Sequence, residues 1–385
     1  MKRFLALLLF ALLHFISPAP AETVAVLPFH NATGNPNLDW VGVGAAESIR
    51  EALADAGILV LDREAVEEAC RRLGIRPLAP LTRASVIKVA ETLDAEKVIY
   101  GSVHGPQPAS LRFALRLVDI PNMRQSPEME HTGAMEDLAQ ILNRIDWEIL
   151  RQLRPETTPP EKVFLATHPA YRVDAIENYI RGLMASQSEQ KHRFFTQAAR
   201  LDSRYARPAM ALGKLLWEQE NYKAAAAWFS KVSPSDARYC EANYYLGICR
   251  FYLGDYAGAQ AAFETVARQV PLNEVFNNLG AAQSRRDHPD AVENFRKALE
   301  GDPSDPDYYF NLGYALWKAG RFDEAAGYFR GALERDPSDA EATLMLGRCL
   351  KRSRDPAAEP LERVKENYNE SVFLQLKEAL ERKAK

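Results

Sequence analysis

Few side chains in this sequence are spaced as catalysis would require. Seven histidines are scattered, and none forms the His-Glu-x-x-His pattern that holds a catalytic zinc ion. The sequence contains neither a Gly-x-Ser-x-Gly nucleophile motif nor a phosphate-binding P-loop. Acidic pairs such as Glu67-Glu68 fall in segments with helical periodicity, where carboxylates are ordinarily solvated. We therefore predict a non-enzymatic protein with no cofactor and no metal ligands.

A glycine pair near the start of the chain is the one nucleotide-like feature. Gly42-Val43-Gly44 follows a predicted strand and opens a predicted helix, as a dinucleotide-binding loop would. The third glycine position is Glu47, and the connecting loop is far longer than the tight turn of that motif. We interpret the pair as a closely packed first helical turn.

The four cysteines show no Cys-x-x-Cys spacing. Cys249 and Cys349 each follow a recurring glycine by two residues, where other segments have alanine, so we predict small and buried positions. The sequence leaves a disulfide between Cys70 and Cys240 as an alternative.

A Leu-Gly pair recurs in the second half of the chain every 33 or 34 residues. The pairs are Leu212-Gly213, Leu246-Gly247, Leu279-Gly280, Leu312-Gly313 and Leu346-Gly347. Alanine and phenylalanine, four residues apart, follow the first four glycines: Ala225/Phe229, Ala259/Phe263, Ala291/Phe295 and Ala325/Phe329. This coupled pattern resembles the tetratricopeptide repeat, whose period is about 34 residues.

The residue types fit a stack of helical hairpins. Leucine and glycine lie on the inner side of a first helix, where glycine lets the second helix approach closely. The alanine and phenylalanine share one face of that second helix. A single hairpin cannot bury its apolar face, whereas stacked hairpins can, so we predict an all-α solenoid.

In tetratricopeptide proteins the concave face of the stack is lined mainly by the first helices. Carried onto this chain, the resemblance implies a groove in which two aromatic clusters flank a small, polar middle. The predicted partner-binding residues are Met210, Lys214, Trp217, Tyr244, Ile248, Phe251, Asn277, Arg285, Phe310, Tyr314, Trp317, Arg348 and Lys351. Aromatic and arginine side chains are enriched in interface hot spots, which favours a protein or peptide partner. The alternative is that single rings among them pack between neighbouring hairpins.

Composition and the first residues bear on location. The 385-residue chain is 47% hydrophobic and carries a net charge of −4, which argues against a nucleic-acid-binding surface.

A basic start, an apolar core over 4–16 and Ala19-Pro20-Ala21 form a secretory signal, so we predict residues 1–21 to be removed. The core is shorter than a membrane helix requires. We expect an exported, periplasmic protein with no membrane span in the mature chain; the alternative is an uncleaved anchor facing the periplasm.

Residues 22–153 alternate strand-like and helix-like segments. Strands are predicted at 23–29, 58–61, 97–104, 111–119 and 129–132, and helices at 40–56, 63–73, 85–93 and 135–153. The resulting order, βαβααβββα, predicts a mixed α/β domain. Residues 24–34 (Val-Ala-Val-Leu-Pro-Phe-His-Asn-Ala-Thr-Gly) and 93–103, which end in Gly-Ser-Val, resemble the TolB amino-terminal-like domain. That resemblance implies an envelope protein or a regulator carrying tetratricopeptide repeats.

The remaining boundaries follow from prolines and from the repeat. We predict a linker at 154–169, a degenerate tetratricopeptide-like hairpin at 170–205 and the repeat array at 206–352. Residues 353–385 are predicted to form an irregular segment and a C-terminal capping helix.

Two functions are consistent with these features. The first is a periplasmic or cell-envelope scaffold or adaptor, with a protein or peptide in the groove and a second envelope protein on the α/β domain. The second is a sensor, in which the α/β domain binds a small ligand and relays it through the array.

Overall fold

The computed structural model describes residues 23–76, 78–107, 110–354 and 362–384. The predicted signal segment, residues 1–21, lies outside the described residues. The chain divides into two compact units, residues 1–184 and 185–385.

The first unit contains a seven-stranded mixed sheet and six α-helices within its described residues. The strands are β1 Thr23–Val26, β2 His30–Asn31, β3 Leu59–Val60, β4 Lys97–Gln107, β5 Ser110–Asp119, β6 Arg124–Gln125 and β7 Met129–Ala134. The helices are α1 Asp39–Asp55, α2 Arg63–Arg72, α3 Arg83–Leu93, α4 Leu138–Leu153, α5 Glu161–Thr167 and α6 Val173–Met184. The predicted mixed α/β class is confirmed; the short strands β2 and β6 were missed because two residues carry no periodicity.

The sheet is parallel on one side and antiparallel on the other. β1 lies between β3 and β4 and runs parallel to both, while β4 pairs antiparallel with the long strand β5. Ala25 is paired with Val98, and Val98 with Val118, in a fully buried row. Strands buried on both faces read as continuous apolar runs, which is why the strand at residue 23 was recognisable.

Helix α1 packs against α4 and α6. A Cβ on Gly42 would lie 2.2 Å from the carbonyl oxygen of Phe29, so the glycine permits the approach of helix to strand. This is the close packing expected for the pair at 42 and 44. The stretch predicted as a linker contains α5, whose Phe164 is buried.

The second unit is a succession of helices. They are α7 Ser188–Leu201, α8 Ala206–Glu218, α9 Tyr222–Phe229, α10 Tyr239–Tyr252, α11 Tyr256–Ala267, α12 Asn273–Ser284, α13 Ala291–Gly301, α14 Pro306–Lys318, α15 Phe322–Arg335, α16 Ala340–Leu350 and α17 Glu370–Ala384. Helices α8 to α15 form four hairpins that pack in chain order. The predicted all-α solenoid is therefore confirmed.

Each recurring glycine faces the phenylalanine of its own hairpin. A Cβ on Gly247 would lie 2.6 Å from the ring of Phe263, and Gly213, Gly280 and Gly313 face Phe229, Phe295 and Phe329 in the same way. Gly347 on α16 meets nothing within 4 Å, because no second helix pairs with α16 within the described residues. The Leu-Gly and Ala-x-x-x-Phe patterns thus recur together because their glycine and phenylalanine form the contact between the two helices of a hairpin.

The four cysteines, all described, are free. Cys249 and Cys349 are buried at the small positions predicted for them, and burial raises the pKa of their thiols to about 12 and about 11. Across the described part of the chain, no helix is long and apolar enough to cross a membrane. The same residues contain no group of three or more potential metal ligands.

Candidate functional site

Residues 362–368, here called the tail segment, form no helix or strand and lie against the first helices of three hairpins. The surface that holds them, here called the tail-binding face, is formed by Tyr244 on α10, Asn277 and Asn278 on α12, and Phe310 and Asn311 on α14. With the tail segment in place, the side chains of this surface are fully buried.

Asn311 pairs with the backbone of Arg363 as a second peptide unit would. Its side-chain amide donates to the Arg363 carbonyl oxygen at 2.7 Å, and its side-chain oxygen accepts from the Arg363 N–H at 2.8 Å. A side-chain amide carries both a donor and an acceptor, so it can satisfy both polar groups of one extended residue. The pairing is therefore independent of the side chain at residue 363.

Asn278 repeats this arrangement one hairpin earlier. Its amide donates to the Lys365 carbonyl oxygen at 2.8 Å, and its oxygen accepts from the Lys365 N–H at 2.7 Å. Asn278 and Asn311 each stand two residues before a recurring glycine. Equivalent residues of successive hairpins thus hold alternate residues of the tail segment.

The tail segment runs opposite to the order of the hairpins. Arg363 pairs on α14, Lys365 on α12, and the Tyr244 hydroxyl on α10 donates to the Lys365 carbonyl oxygen at 2.6 Å. Asn277 lies between these sites, and its amide donates to the Arg363 carbonyl oxygen at 2.8 Å. An extended peptide bound here would take the same antiparallel direction.

Acidic side chains at the starts of two first helices bind the two basic residues. The Arg363 guanidinium donates to both oxygens of Asp339 at 2.7 and 2.9 Å, and reaches Glu341 at 3.1 Å. It also lies over the Phe310 ring, 3.7 Å from the centroid. The Lys365 ammonium contacts Asp305 at 2.7 Å and Asp307 at 2.6 Å.

The charged groups at these two sites shift one another's pKa values. Burial opposes ionisation of Asp339, but hydrogen bonds from Arg363 and from the Ala342 N–H outweigh it and hold the pKa of that carboxyl below its usual value. Burial likewise disfavours the Lys365 ammonium, yet hydrogen bonds to Asp305 and Asp307 raise its pKa. Asp339 and Lys365 are therefore both charged at neutral pH.

Three further contacts hold the two ends of the tail segment. The buried Glu362 carboxylate is in ion-pair contact with Arg285, although the two groups lack the alignment of a directional hydrogen bond. Tyr252 donates a hydrogen bond to Glu366. The Tyr368 ring lies 5.3 Å from that of Tyr244, between centroids.

Four of the predicted partner-binding residues contact the tail segment. They are Tyr244, Asn277, Arg285 and Phe310. These four residues were predicted from the resemblance to the repeat family, and in the structure they contact a segment of the same chain.

The other predicted residues are used inside the array or lie beside the tail segment. Met210, Ile248 and Phe251 are buried in the helix packing. Tyr314 and Trp317, expected to stay free for a partner, are also buried: their rings stack 5.8 Å apart, and the Trp317 indole N–H donates to the Ser353 carbonyl oxygen at 2.9 Å. That expectation was wrong, since both rings belong to the hydrophobic core of the array.

The outermost predicted residues also have other surroundings. Lys214 forms an ion pair with Glu241, and the Trp217 ring packs edge-on against Tyr245, 5.4 Å between centroids. Arg348 is half-buried and Lys351 is exposed near the end of α16.

Asn278, Asn311 and the acidic residues were missed by the sequence reasoning. A signal was present, because Asn-Leu-Gly occurs in two consecutive repeats, at Asn278 and Asn311. Asp305-x-Asp307 and Asp339-x-Glu341 also recur at a spacing of 34 residues. A repeated polar residue beside a repeated structural pair indicates a ladder of identical contacts.

The α/β unit contains a separate cavity of about 370 Å³. Its lining is mainly apolar, with Val43, Val66 and Ile75 among the contributors, and Arg63, Glu67 and Arg71 provide charge.

Comparison with known proteins identifies the repeat. A family model described as tetratricopeptide repeat matches residues 192–237, 244–306, 280–340 and 310–370, so this part of the chain carries tetratricopeptide repeats. Proteins with these repeats are interaction scaffolds, and no catalytic family is indicated. No curated protein matches the chain.

Solved structures also resemble part of this chain. YrrB, described as a TPR protein with an unusual peptide-binding site, is 26% identical, covering 42% of this chain and 85% of that chain at a TM-score of 0.36. MamA from Desulfovibrio magneticus RS-1 is 23% identical over 42% of this chain and 92% of that chain, with a TM-score of 0.38. PilF from Pseudomonas aeruginosa is 22% identical over 46% and 83%, with a TM-score of 0.38.

Proposed function

We propose that this tetratricopeptide-repeat chain is a non-enzymatic scaffold of the cell envelope that binds an extended peptide or protein segment on its tail-binding face. The observation that supports this most strongly is the pair Asn278 and Asn311. Each satisfies the N–H and carbonyl groups of one extended residue. Such pairing recognises a backbone, so the face is suited to an extended chain.

The location and the second docking surface are part of the same proposal. The basic start, short apolar core and Ala19-Pro20-Ala21 support export with removal of residues 1–21. The sequence resemblance of residues 24–34 and 93–103 to TolB amino-terminal-like domains supports a role for the α/β unit in docking a second envelope protein. The mass of the mature protein tests the first point, because cleavage after Ala21 leaves Glu22 as the first residue.

A photo-crosslinker at the edge of the face tests the binding function. Tyr252 is partly exposed beside Glu366, so a benzoylphenylalanine introduced there in the full-length chain should capture a bound segment in cells. The same group at exposed Arg330 on α15 is the matched control. We expect a discrete adduct at residue 252 that disappears when Asn278 and Asn311 are replaced by alanine.

An adduct that forms equally at residues 252 and 330 would contradict the proposal, because it would report contact without a site. So would an adduct at residue 252 that survives the double asparagine substitution, provided that circular dichroism shows the array still folded. Sequencing of the captured peptide then identifies the partner segment.

The cavity of the α/β unit favours a second candidate function, that of a sensor. Its volume of about 370 Å³ is sufficient for a small molecule, and apolar linings with a few charges are typical of ligand sites. A metabolite that raises the unfolding temperature of the full chain, and fails to do so when Val66 is replaced by a bulkier Phe, would support it. The absence of any such metabolite in a broad screen would count against it.

A further inference from the structure

We infer that the tail segment is a built-in occupant of the binding face, and that the external partner is an extended segment with two basic residues separated by one residue, which displaces it. This inference rests on the proposed function, because it names the chemistry of the ligand and the state of the site before the ligand arrives.

Two successive hairpins bind the tail segment through the same two kinds of side chain. One part is the asparagine before Leu-Gly, and the other is the acidic pair at the start of the next first helix. Asn311 with Asp339 and Glu341 holds Arg363, and Asn278 with Asp305 and Asp307 holds Lys365. Asp307 also contacts the Arg363 guanidinium at 3.2 Å, so it is shared between the two basic residues. Two successive repeats therefore bind two residues of an extended chain that are separated by one residue. The side chains of such alternate residues point the same way.

The charges determine what can replace the tail segment. Four carboxylates stand opposite two cations, and Asp339 is only 8% exposed. Removing the cation from a buried ion pair leaves an uncompensated charge, which is strongly unfavourable. A displacing segment must therefore bring its own basic groups to these acids, whereas a neutral or acidic segment would leave them unpaired.

The tail segment is held by polar contacts along its backbone and by its basic side chains, while Val364 and Tyr368 pack against the core of the array. Glu366 and Asn367 are exposed, and Arg363 and Lys365 reach the array through long flexible side chains. Its backbone is bonded to side chains of the array at Arg363, Lys365 and Asn367. A segment joined to its site by the same chain acts at a high effective concentration, often in the millimolar range, so it competes with any free ligand.

The test measures binding of a labelled peptide to full-length protein. The probe is Glu-Arg-Val-Lys-Glu-Asn-Tyr-Asn, the sequence of residues 362–369. The variant Arg363→Gln with Lys365→Gln removes both cations of the tail segment and keeps the stems that cover the face. We expect this opened variant to bind the probe at least about tenfold more tightly than the wild type does, since the tethered competitor is weakened.

Three controls separate the effect of charge from the effect of the binding site. Arg321→Gln with Arg352→Gln removes two cations whose ion pairs with Glu324 and Asp323 are exposed, so this variant should bind the probe as the wild type does. A probe with glutamate in place of both basic residues should not bind the opened variant. Asn278→Ala with Asn311→Ala in the opened variant should abolish binding of the basic probe.

Each contrary outcome has a distinct meaning. Equal affinity of the wild type and the opened variant for the basic probe would overturn the inference that the tail segment occupies the face and competes with a ligand. Equal binding of basic and acidic probes to the opened variant would overturn the partner chemistry while leaving the proposed function intact. If neither probe nor a pool of mixed-sequence octapeptides binds, both the inference and the proposed function fail.

A second measurement covers the case in which the opened variant does not fold. Hydrogen exchange of the Arg363 and Lys365 amides in the wild type reports the bonds to Asn311 and Asn278 directly. Saturating basic probe should accelerate exchange at both amides, and the acidic probe should not. Unchanged exchange, or a dimer in which a second copy supplies the tail segment, would overturn displacement by an external partner.

Discussion

The side-chain amide of Asn311 donates a hydrogen bond to the side-chain oxygen of Asn277 at 2.8 Å, across the boundary between two hairpins. Both amides also donate to the carbonyl oxygen of Arg363. The bond between them fixes the orientation of the two amides relative to each other. The tail-binding face is thus a connected polar network, in which removal of one member leaves its neighbours unsatisfied.

Replacing Asn311 with alanine should destabilise the array and release the tail segment. The substitution leaves the Arg363 N–H without its acceptor and removes a donor to its carbonyl oxygen, a loss of about 1–3 kcal/mol. Urea unfolding and exchange of the Arg363 amide measure the two effects. Asn243→Ala is the matched control, because that buried amide donates to Tyr239 within its own helix and should not change Arg363 exchange.

Glycine-to-alanine substitutions should have opposite effects at two equivalent positions. At Gly247 the new Cβ would meet the Phe263 ring at 2.6 Å, and overpacking of this kind costs about 1–3 kcal/mol. At Gly347 nothing lies within 4 Å, so alanine should stabilise α16 by roughly 0.5–1 kcal/mol through its helix propensity. Thermal unfolding of the two variants checks the difference, and equal shifts would contradict the assigned packing.

The stabilisation by the tail segment should be constant across neutral pH and decline at both extremes. The lowered pKa of Asp339 means that its contribution is fully present above the ordinary value of 3.8 and is lost as pH falls through the lowered one. The raised pKa of Lys365 means that its contribution is present below 10.5 and is lost as pH rises through the raised one. The difference in urea midpoint between wild type and the Arg363→Gln, Lys365→Gln variant should follow this profile; a slope through neutral pH would contradict it.

Asp146 should make the α/β unit less stable as pH rises from about 4 to 8. Burial raises the pKa of this carboxyl to about 8, against the hydrogen bond with the Ser48 hydroxyl at 2.6 Å. Between the unfolded and folded pKa values the folded state holds the extra proton, so raising the pH favours unfolding by up to about 1.4 kcal/mol per unit. Asp146→Asn removes this dependence.

Exchange of the Ile145 and Ile149 amides, which lie in the core of the same helix, reports stability of that unit. The advantage of the Asp146→Asn variant should be small near pH 4, grow towards pH 8 and stay constant above it. Parallel pH curves for the variant and the wild type would show that Asp146 is not buried in its protonated form.

The mixed α/β class and the hairpin array were predictable because their signals are local and periodic. Phe263 lies 16 residues from Gly247, and the same contact recurs in each hairpin, so one pattern predicts them all. The candidate site was predictable only in part. Asn277 and Phe310 were predicted because they lie on the stripe of each first helix that flanks the Leu-Gly pair. Asn278 and Asn311 each follow those residues by one position and so fell outside the predicted stripe.

By itself the sequence determined the units of this protein: a mixed sheet with helices and a stack of hairpins closed by Gly–Phe contacts. Only the tertiary structure decided what occupies the face of that stack. Arg363 meets Asn311 across 52 residues, and Lys365 meets Tyr244 across 121. The repeat marks Asn278 and Asn311 as equivalent positions, but it does not show which segment binds to them. That depends on where the chain after the last repeat returns and on which buried carboxylate requires a cation.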